Sequence, residues 1–339
     1  MKKISFLILI FLMFSILSGS SPKAISNSYP IKFGVLLYKE KDDYIKLIKN
    51  ELLKIESKNK GIIEITIYDA NNNQELQNSQ IEKLLSDNVD VILLNLVDVT
   101  KSKEVIEKIK EKDIPVIFFN REPSSLNWIE SYKKSIYLGT EACESGNIQG
   151  EIILRELRKN DIKDKNDNKI LDIILLSGEV NNIEAQLRSE CVIRTLNNNG
   201  INTNLIAEEH CNWERECAEE KIQKLFSEYG EDIELIISNN DSMAIGALKA
   251  LQKYGYNIGN SEKYIPIVGV DGLEEAKQLI NKGELTGTVI QDSEATVRAL
   301  YRIGINFVEG RSPLENTEYN YDVTGVGVRI PYNGYIIRN

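Results

Sequence analysis

Short, almost wholly apolar runs recur along this chain and alternate with longer amphipathic stretches. The runs are Ile31 to Tyr38, Ile62 to Tyr68, Val91 to Val97, Pro115 to Phe119 and Ile136 to Gly139, followed by Ile170 to Leu176, Leu235 to Ser238, Ile265 to Val270 and Gly287 to Ile290. Runs without polar alternation predict parallel strands covered on both faces. Between them, apolar residues return at helical spacing, as in Ile45, Ile48, Leu52 and Ile55, or Ala244, Leu248 and Leu251. Strand–helix repetition of this kind predicts doubly wound α/β units, and there are too many strands for one open sheet. Two lobes are expected. No Pro/Gly/Ser-rich linker divides them, and Lys159 to Lys169 is the only long charged loop.

The ends of the predicted strands are rich in carboxylates and amides: Asp42-Asp43-Tyr44, Asn95-Leu96-Val97-Asp98, Asn120-Arg121-Glu122, Asn239-Asn240-Asp241, Asp271 and Gln291-Asp292. Such residues cap helices, and Asp241 is read as a cap for a helix from Met243 to Tyr254. Capping alone does not require Asp or Asn at every one of these ends. Doubly wound sheets bind ligands beyond the carboxyl ends of their strands. Two facing polar edges would make a cleft suited to a ligand covered in hydroxyls.

The N-terminus follows a different pattern. Lys2 and Lys3 precede an apolar run from Ile4 to Leu17, and small residues follow in Ser18-Gly19-Ser20-Ser21. This predicts an export signal over residues 1–20, the alternative being a retained membrane anchor. Leu17-Ser18-Gly19 is followed by Ser20 where a lipoprotein signal requires Cys, so lipidation at this site is not expected.

Charge narrows the function. The 339 residues carry 41 Lys+Arg and 51 Asp+Glu, a formal charge of −10. That balance argues against nucleic-acid binding. A single histidine, His210, excludes a His-rich zinc site or a His dyad and is read as an exposed loop residue. Export permits disulfides. Cys143 and Cys191, far apart in sequence, are expected to be free thiols, and pairing of Cys211 with Cys217 is left open.

Phe33-Gly34-Val35, Asp42-Asp43-Tyr44, Asn95-Leu96-Val97-Asp98, Phe118 to Pro123, Asn239-Asn240-Asp241 and Gly269-Val270-Asp271 stand in order along the chain. Together they resemble the galactose/glucose-binding proteins among the type 1 periplasmic sugar-binding proteins of ABC transporters. The similarity runs from about Ile31 to Tyr335, with Arg329-Ile330-Pro331-Tyr332 at its end. It implies an α/β fold of two doubly wound parallel-sheet lobes, joined by three hinge crossovers and closing on one monosaccharide. The expected division is residues 27–139 plus 287–321 in one lobe, and 140–286 plus 322–339 in the other.

By the same resemblance Asp42, Asn120, Arg188, Asn240 and Asp271 occupy sugar-binding positions, and Tyr44 and Trp213 the positions that sandwich the ring. Stacking buries the apolar C–H faces of a pyranose. For Trp213 a core position is the alternative. Three positions depart from the family: Asn182 replaces a His, Glu184 an Asp and Gln291 an Asn. Each can still form hydrogen bonds, and such changes alter specificity.

One loop suggests a cation. Asp164, Asn166, Asn168 and Asp172 place oxygen side chains at positions 1, 3, 5 and 9 of an EF-hand-like spacing, with the Ile170 carbonyl at 7. Position 12 is Leu175, and the resemblance supplies Glu234 as the distant carboxylate. Lys169 stands where position 6 commonly has glycine, and a solvated polar loop is the alternative to structural calcium. The expected role is an exported, monomeric, non-catalytic hexose-binding protein of the D-galactose/D-glucose class, serving an ABC permease, with a chemoreceptor as a second reader of the closed form. The alternatives are a different sugar, or a carbohydrate-active enzyme using Asp42 and Asp271. No nucleophile elbow, phosphate loop or zinc motif supports the enzyme. A sugar-responsive repressor would need a helix-turn-helix domain where the export signal stands.

Overall fold

The computed structural model describes residues 29–159, 162 and 164–337. The expected export signal lies outside the described residues. Among the described residues, no helix is long and apolar enough to cross a membrane.

Two six-stranded sheets organise residues 31 to 337. The first contains β1 (Ile31–Leu37), β2 (Ile63–Asp69), β3 (Val91–Leu94), β4 (Val116–Phe119), β5 (Ser135–Gly139) and β11 (Gly327–Arg329), in the order β11-β5-β4-β3-β1-β2. All its pairings are parallel. The second contains β6 (Ile170–Ser177), β7 (Asn202–His210), β8 (Leu235–Ser238), β9 (Ile267–Asp271), β10 (Gly287–Gln291) and β12 (Tyr332–Ile336), in the order β12-β10-β9-β8-β6-β7. Only β12 runs antiparallel to its neighbour there.

The helices form because their apolar residues fall on one face and because polar residues cap them. Helix α1 (Asp43–Lys58) buries Ile45, Ile48 and Leu52 and is capped by Asp42, which accepts from the Ile45 amide. Helix α2 is Gln74–Ser86, α3 Ser102–Glu111, α4 Asn127–Glu130, α5 Ala142–Lys159, α6 Ile183–Asn198, α7 Arg215–Tyr229, α8 Asp241–Gln252, α9 Glu274–Asn281 and α10 Ser293–Val308. Each sheet is covered on both faces. Phe33, Val35 and Leu93 pack with α1 and α10 on one side of the first sheet, while Leu36, Ile92 and Phe118 pack with α2 and α3 on the other. The second sheet repeats the arrangement, with Ile174 and Ile236 toward α7 and α8 and Ile173 and Ile237 toward α5 and α6.

The expected lobe boundaries shift near the C-terminus. Strand β10 pairs with β9 from Gly287↔Val268 to Ile290↔Asp271, so residues 287–291 belong to the second lobe rather than the first. The chain crosses at Asp292, because α10 packs Val297, Leu300 and Ile303 into the first lobe's core. It returns at Ile330 and Pro331, since β11 pairs with β5 in the first lobe and β12 with β10 in the second. Residues 322–329 therefore stay with the first lobe. The crossovers follow β5, β10 and β11.

Strands β7, β11 and β12 have no counterpart among the apolar runs. Asn202–His210 carries polar residues at most positions and pairs only with β6, as an edge strand does. The cysteines also reverse the expectation: Cys143 and Cys191 form a disulfide, while Cys211 and Cys217 are free. Their separation of 48 residues concealed a contact between neighbouring helices, because Cys143 on α5 and Cys191 on α6 have Cα atoms 5.3 Å apart.

Candidate functional site

The carboxyl ends of both sheets face one cleft, and every proposed ligand residue lines a single cavity within it. Asp42, Tyr44 and Asn120 come from the first lobe, and Asn182, Glu184, Arg188, Trp213, Asn240, Asp271 and Gln291 from the second. Tyr38 and Arg121 complete its lining and were not assigned from the sequence. Arg121 had a visible signal, lying beside Asn120 at the end of β4.

Capping and lining, weighed as alternatives in the sequence, coincide here. Asp42 Oδ1 accepts from the Ile45 amide while Oδ2 accepts a 2.6 Å hydrogen bond from Tyr38 Oη. Asn182 Oδ1 caps α6 through the Glu184 and Ala185 amides, and its Nδ2 donates to Glu179 Oε2. Asn240 caps α8 through the Met243 amide and donates to the Trp213 carbonyl at 3.2 Å. Asn240, not Asp241, is that helix's cap. Asp241 is its first residue, and its buried carboxylate accepts from Thr288 Oγ1 and the Leu273 amide.

Arg188 is the hub of the second lobe's wall. It is 3% exposed and donates to the Asn239 carbonyl at 2.7 Å, Gln291 Oε1 at 3.1 Å and Tyr332 Oη at 3.0 Å. Asp271 Oδ1 stands 4.0 Å from Arg188 Nη1. Burial pushes the Asp271 carboxyl well above the usual carboxylate range, against the opposing pull of Arg188. Burial likewise raises Asp42 and Glu184, with the Tyr38 hydroxyl countering at Asp42 and Arg188 at Glu184.

Two features mark the cavity as built for a polar occupant. First, Asn120, Trp213 and Asp271 have φ of 61, 67 and 119°, a region in which non-glycine side chains are strained and which concentrates at functional sites. Second, the buried Nε–H groups of Arg121 and Arg188 lack a hydrogen-bond partner. Buried polar groups are almost always paired, so two unpartnered Nε–H groups on facing walls of one cavity are donors that a ligand would satisfy.

Polar contacts cross the cleft. Lys39 pairs with Glu214 at 2.6 Å and Arg121 with Glu179 at 3.0 Å, and Asp43 meets both Ser242 and Arg215. The lobes are thus drawn together around the cavity.

The proposed cation loop is also assembled. Asp164 accepts from the Asn168 and Lys169 amides, Asn168 Oδ1 from the Ile170 amide, and Asn166 donates to Asp172 at 3.2 Å. Glu234 joins from outside the loop, accepting from the Asp172 amide at 2.9 Å and from the Lys165 amide. Lys169 adopts φ of 65°, the left-handed turn for which glycine is usual. The side chains are oxygen donors of the kind a hard cation takes, and each accepts N–H groups of the protein in this structure, Asp172 Oδ1 from Asn204 included. Among the described residues, however, no three acidic, cysteine or histidine side chains converge as a metal-holding cluster.

Residues 33–312 match the family described as the periplasmic binding protein domain. The chain belongs to this family. The D-galactose/methyl-galactoside binding periplasmic protein MglB of Haemophilus influenzae is 38% identical over 335 residues, 98% of this chain and 97% of that protein. A putative rhizopine-binding protein of Rhizobium meliloti is 28% identical across 77% of this chain and 76% of its own length. Among solved structures, an ABC transporter solute binding protein from Bacillus halodurans with bound myo-inositol superposes with a TM-score of 0.74 at 21% identity, covering 92% of this chain and 96% of that one. One from Actinobacillus succinogenes with bound D-allose gives 0.74 at 16% identity, with 91% and 97% covered. At those identities the structures establish the fold. The relatives named here are binding proteins, and the chain is a binding protein of this family, not an enzyme.

Proposed function

We propose that this protein captures D-galactose or D-glucose between its lobes and delivers it to an ABC permease. Its coarser role is that of a periplasmic sugar-binding protein of an ABC transporter, the class to which its family and its near-full-length relative belong. The observation that carries the proposal is the convergence of all ten residues on one cavity, in which Arg121 and Arg188 each keep an unpartnered Nε–H. Tyr44 and Trp213 supply flat faces for a pyranose ring, Arg188 a rigid fork of donors, and Asp42, Asp271 and Glu184 acceptors for its hydroxyls. The 38% identity to a D-galactose/methyl-galactoside binding protein favours the galactose class.

Three further roles belong to the same proposal. The protein works as a monomer, its closed form is read by a chemoreceptor as well as the permease, and the Asp164–Asp172 loop with Glu234 holds a structural calcium ion. The six-residue oxygen set supports the last of these.

Calorimetric titration with D-galactose, D-glucose, D-allose, D-ribose and myo-inositol tests the reading. Tightest binding of D-galactose or D-glucose is the expected result. Preference for another of these solutes would overturn the galactose/glucose assignment, and no binding to any of them would remove the sugar role.

A further inference from the structure

We propose that Arg121 is a ligand-contacting residue, brought to the cavity by the first lobe and positioned by Glu179 of the second, and that it sets which hydroxyl pattern is accepted. This rests on the sugar-binding reading above. Arg121 follows Asn120, whose positive φ turns the chain at the end of β4 into the cleft. Its side chain is 11% exposed and held on three sides. One terminal nitrogen lies 3.0 Å from Glu179, the other donates to the Val97 carbonyl at 3.1 Å, and the guanidinium sits 4.5 Å from the centre of the Tyr38 ring. The remaining Nε–H is buried without a partner. Arg188, on the opposite wall, has the same orphaned atom. Two fixed guanidinium forks therefore line one cavity from two lobes, each with a spare donor.

The departure at Asn182 explains why the contact falls to Arg121. Asn182 spends Oδ1 on the α6 cap and one of its two Nδ2 hydrogens on Glu179, so it offers a ligand a single N–H at most. What it does instead is hold Glu179, which in turn holds Arg121. A further donor is supplied by Arg121 from across the cleft. Because Arg121 and Glu179 lie in different lobes, their ion pair forms only when the lobes meet, and the donor is fully aligned only in the closed form. The acceptor it fits is a hydroxyl oxygen of a neutral polyhydroxylated ring. Acidic Asp42, Glu184 and Asp271 line the same cavity and disfavour an anion.

The test is calorimetry with D-galactose and each of its monodeoxy analogues, using the unaltered protein, Arg121→Met, Arg121→Lys and Glu179→Gln. Arg121→Lys keeps the charge facing Glu179 but lacks the Nε–H, so it serves if Arg121→Met fails to fold by circular dichroism. The expected result is a loss of about tenfold to a hundredfold for the parent sugar. One deoxy analogue should escape that loss, because it lacks the hydroxyl that Arg121 recognises. Glu179→Gln should give a smaller loss with the same exempt analogue. An equal loss for every analogue would show that Arg121 only props the cleft, and unchanged affinity would show that it has no part; either overturns the proposal while leaving the sugar role intact. Failure of the unaltered protein to bind any sugar removes the sugar role and this proposal together.

Discussion

Gly178 lies directly beneath the indole of Trp213: a β-carbon at position 178 would fall 2.3 Å from Trp213 Cζ2. The ring that lines the cavity is therefore seated on bare backbone at the end of β6. Its own φ of 67° is held by a hydrogen bond from Asn240 to its carbonyl. Gly178→Ala is expected to push the indole toward the cavity and cost about 1 kcal/mol of stacking, a three- to tenfold loss of sugar affinity. Titration calorimetry on the variant checks this. Unchanged affinity would mean that the ring does not contact the ligand.

Asp241 gives a pH dependence with a definite sign. Burial pushes its carboxyl up to about 7, despite hydrogen bonds from Thr288 and Leu273 that favour the ionised form. The folded state thus holds a proton that the unfolded chain releases near the ordinary aspartate value. Its contribution to stability is complete below pH ~4 and is lost as pH rises toward 7. In Asp241→Asn the melting temperature should fall less steeply between pH 4 and 7 than in the unaltered protein. Parallel pH profiles for the two proteins would refute the assignment.

The Cys143–Cys191 bond joins α5 to α6, and α6 carries Glu184 and Arg188. Denatured, unreduced protein should titrate with two thiols, from Cys211 and Cys217. Closing a loop of 48 residues stabilises the fold by about 4 kcal/mol on the chain-entropy account. Cys143→Ser with Cys191→Ser should therefore lower the urea midpoint substantially. Four titratable thiols would contradict the pairing.

Lys169 provides a test of the cation loop that separates turn geometry from metal binding. A non-glycine residue at φ of 65° carries strain of about 1 kcal/mol relative to glycine. Lys169→Gly should raise stability by that order in chelator, since glycine adopts the turn freely. If calcium binds, a chelator should lower the melting temperature of both proteins, and Glu234→Gln should abolish that shift. A melting curve indifferent to chelator would reject calcium while leaving the prediction for Lys169→Gly standing.

Part of the site was legible because several ligand residues stand at the end of an apolar run, and a parallel sheet brings such ends to one edge; the others were implied by the family resemblance. Asp42, Asn120, Asn240, Asp271 and Gln291 follow this rule directly, whereas Arg188 sits within α6, one or two turns from its cap at Asn182. Nothing in the sequence separates Arg121 from a solvent-exposed charge beside a ligand position. Only its burial between Tyr38, Val97 and Glu179 distinguishes it. Strand β7 was missed because an edge strand need not be apolar.

By itself, the sequence determined the local elements and the chemistry at their ends. Periodicity is a property of neighbouring residues, and strand ends are where apolar runs stop. It also carried the family likeness, since ordered motifs survive without coordinates. Tertiary structure decided what depends on contacts between distant segments. These are the transfer of β10 to the second lobe, the pairing of Cys143 with Cys191, the capping of α8 by Asn240, and the ion pair that carries Arg121 across the cleft. Each is fixed by which surfaces pack together, and packing is decided by the whole chain's shape rather than by spacing along it.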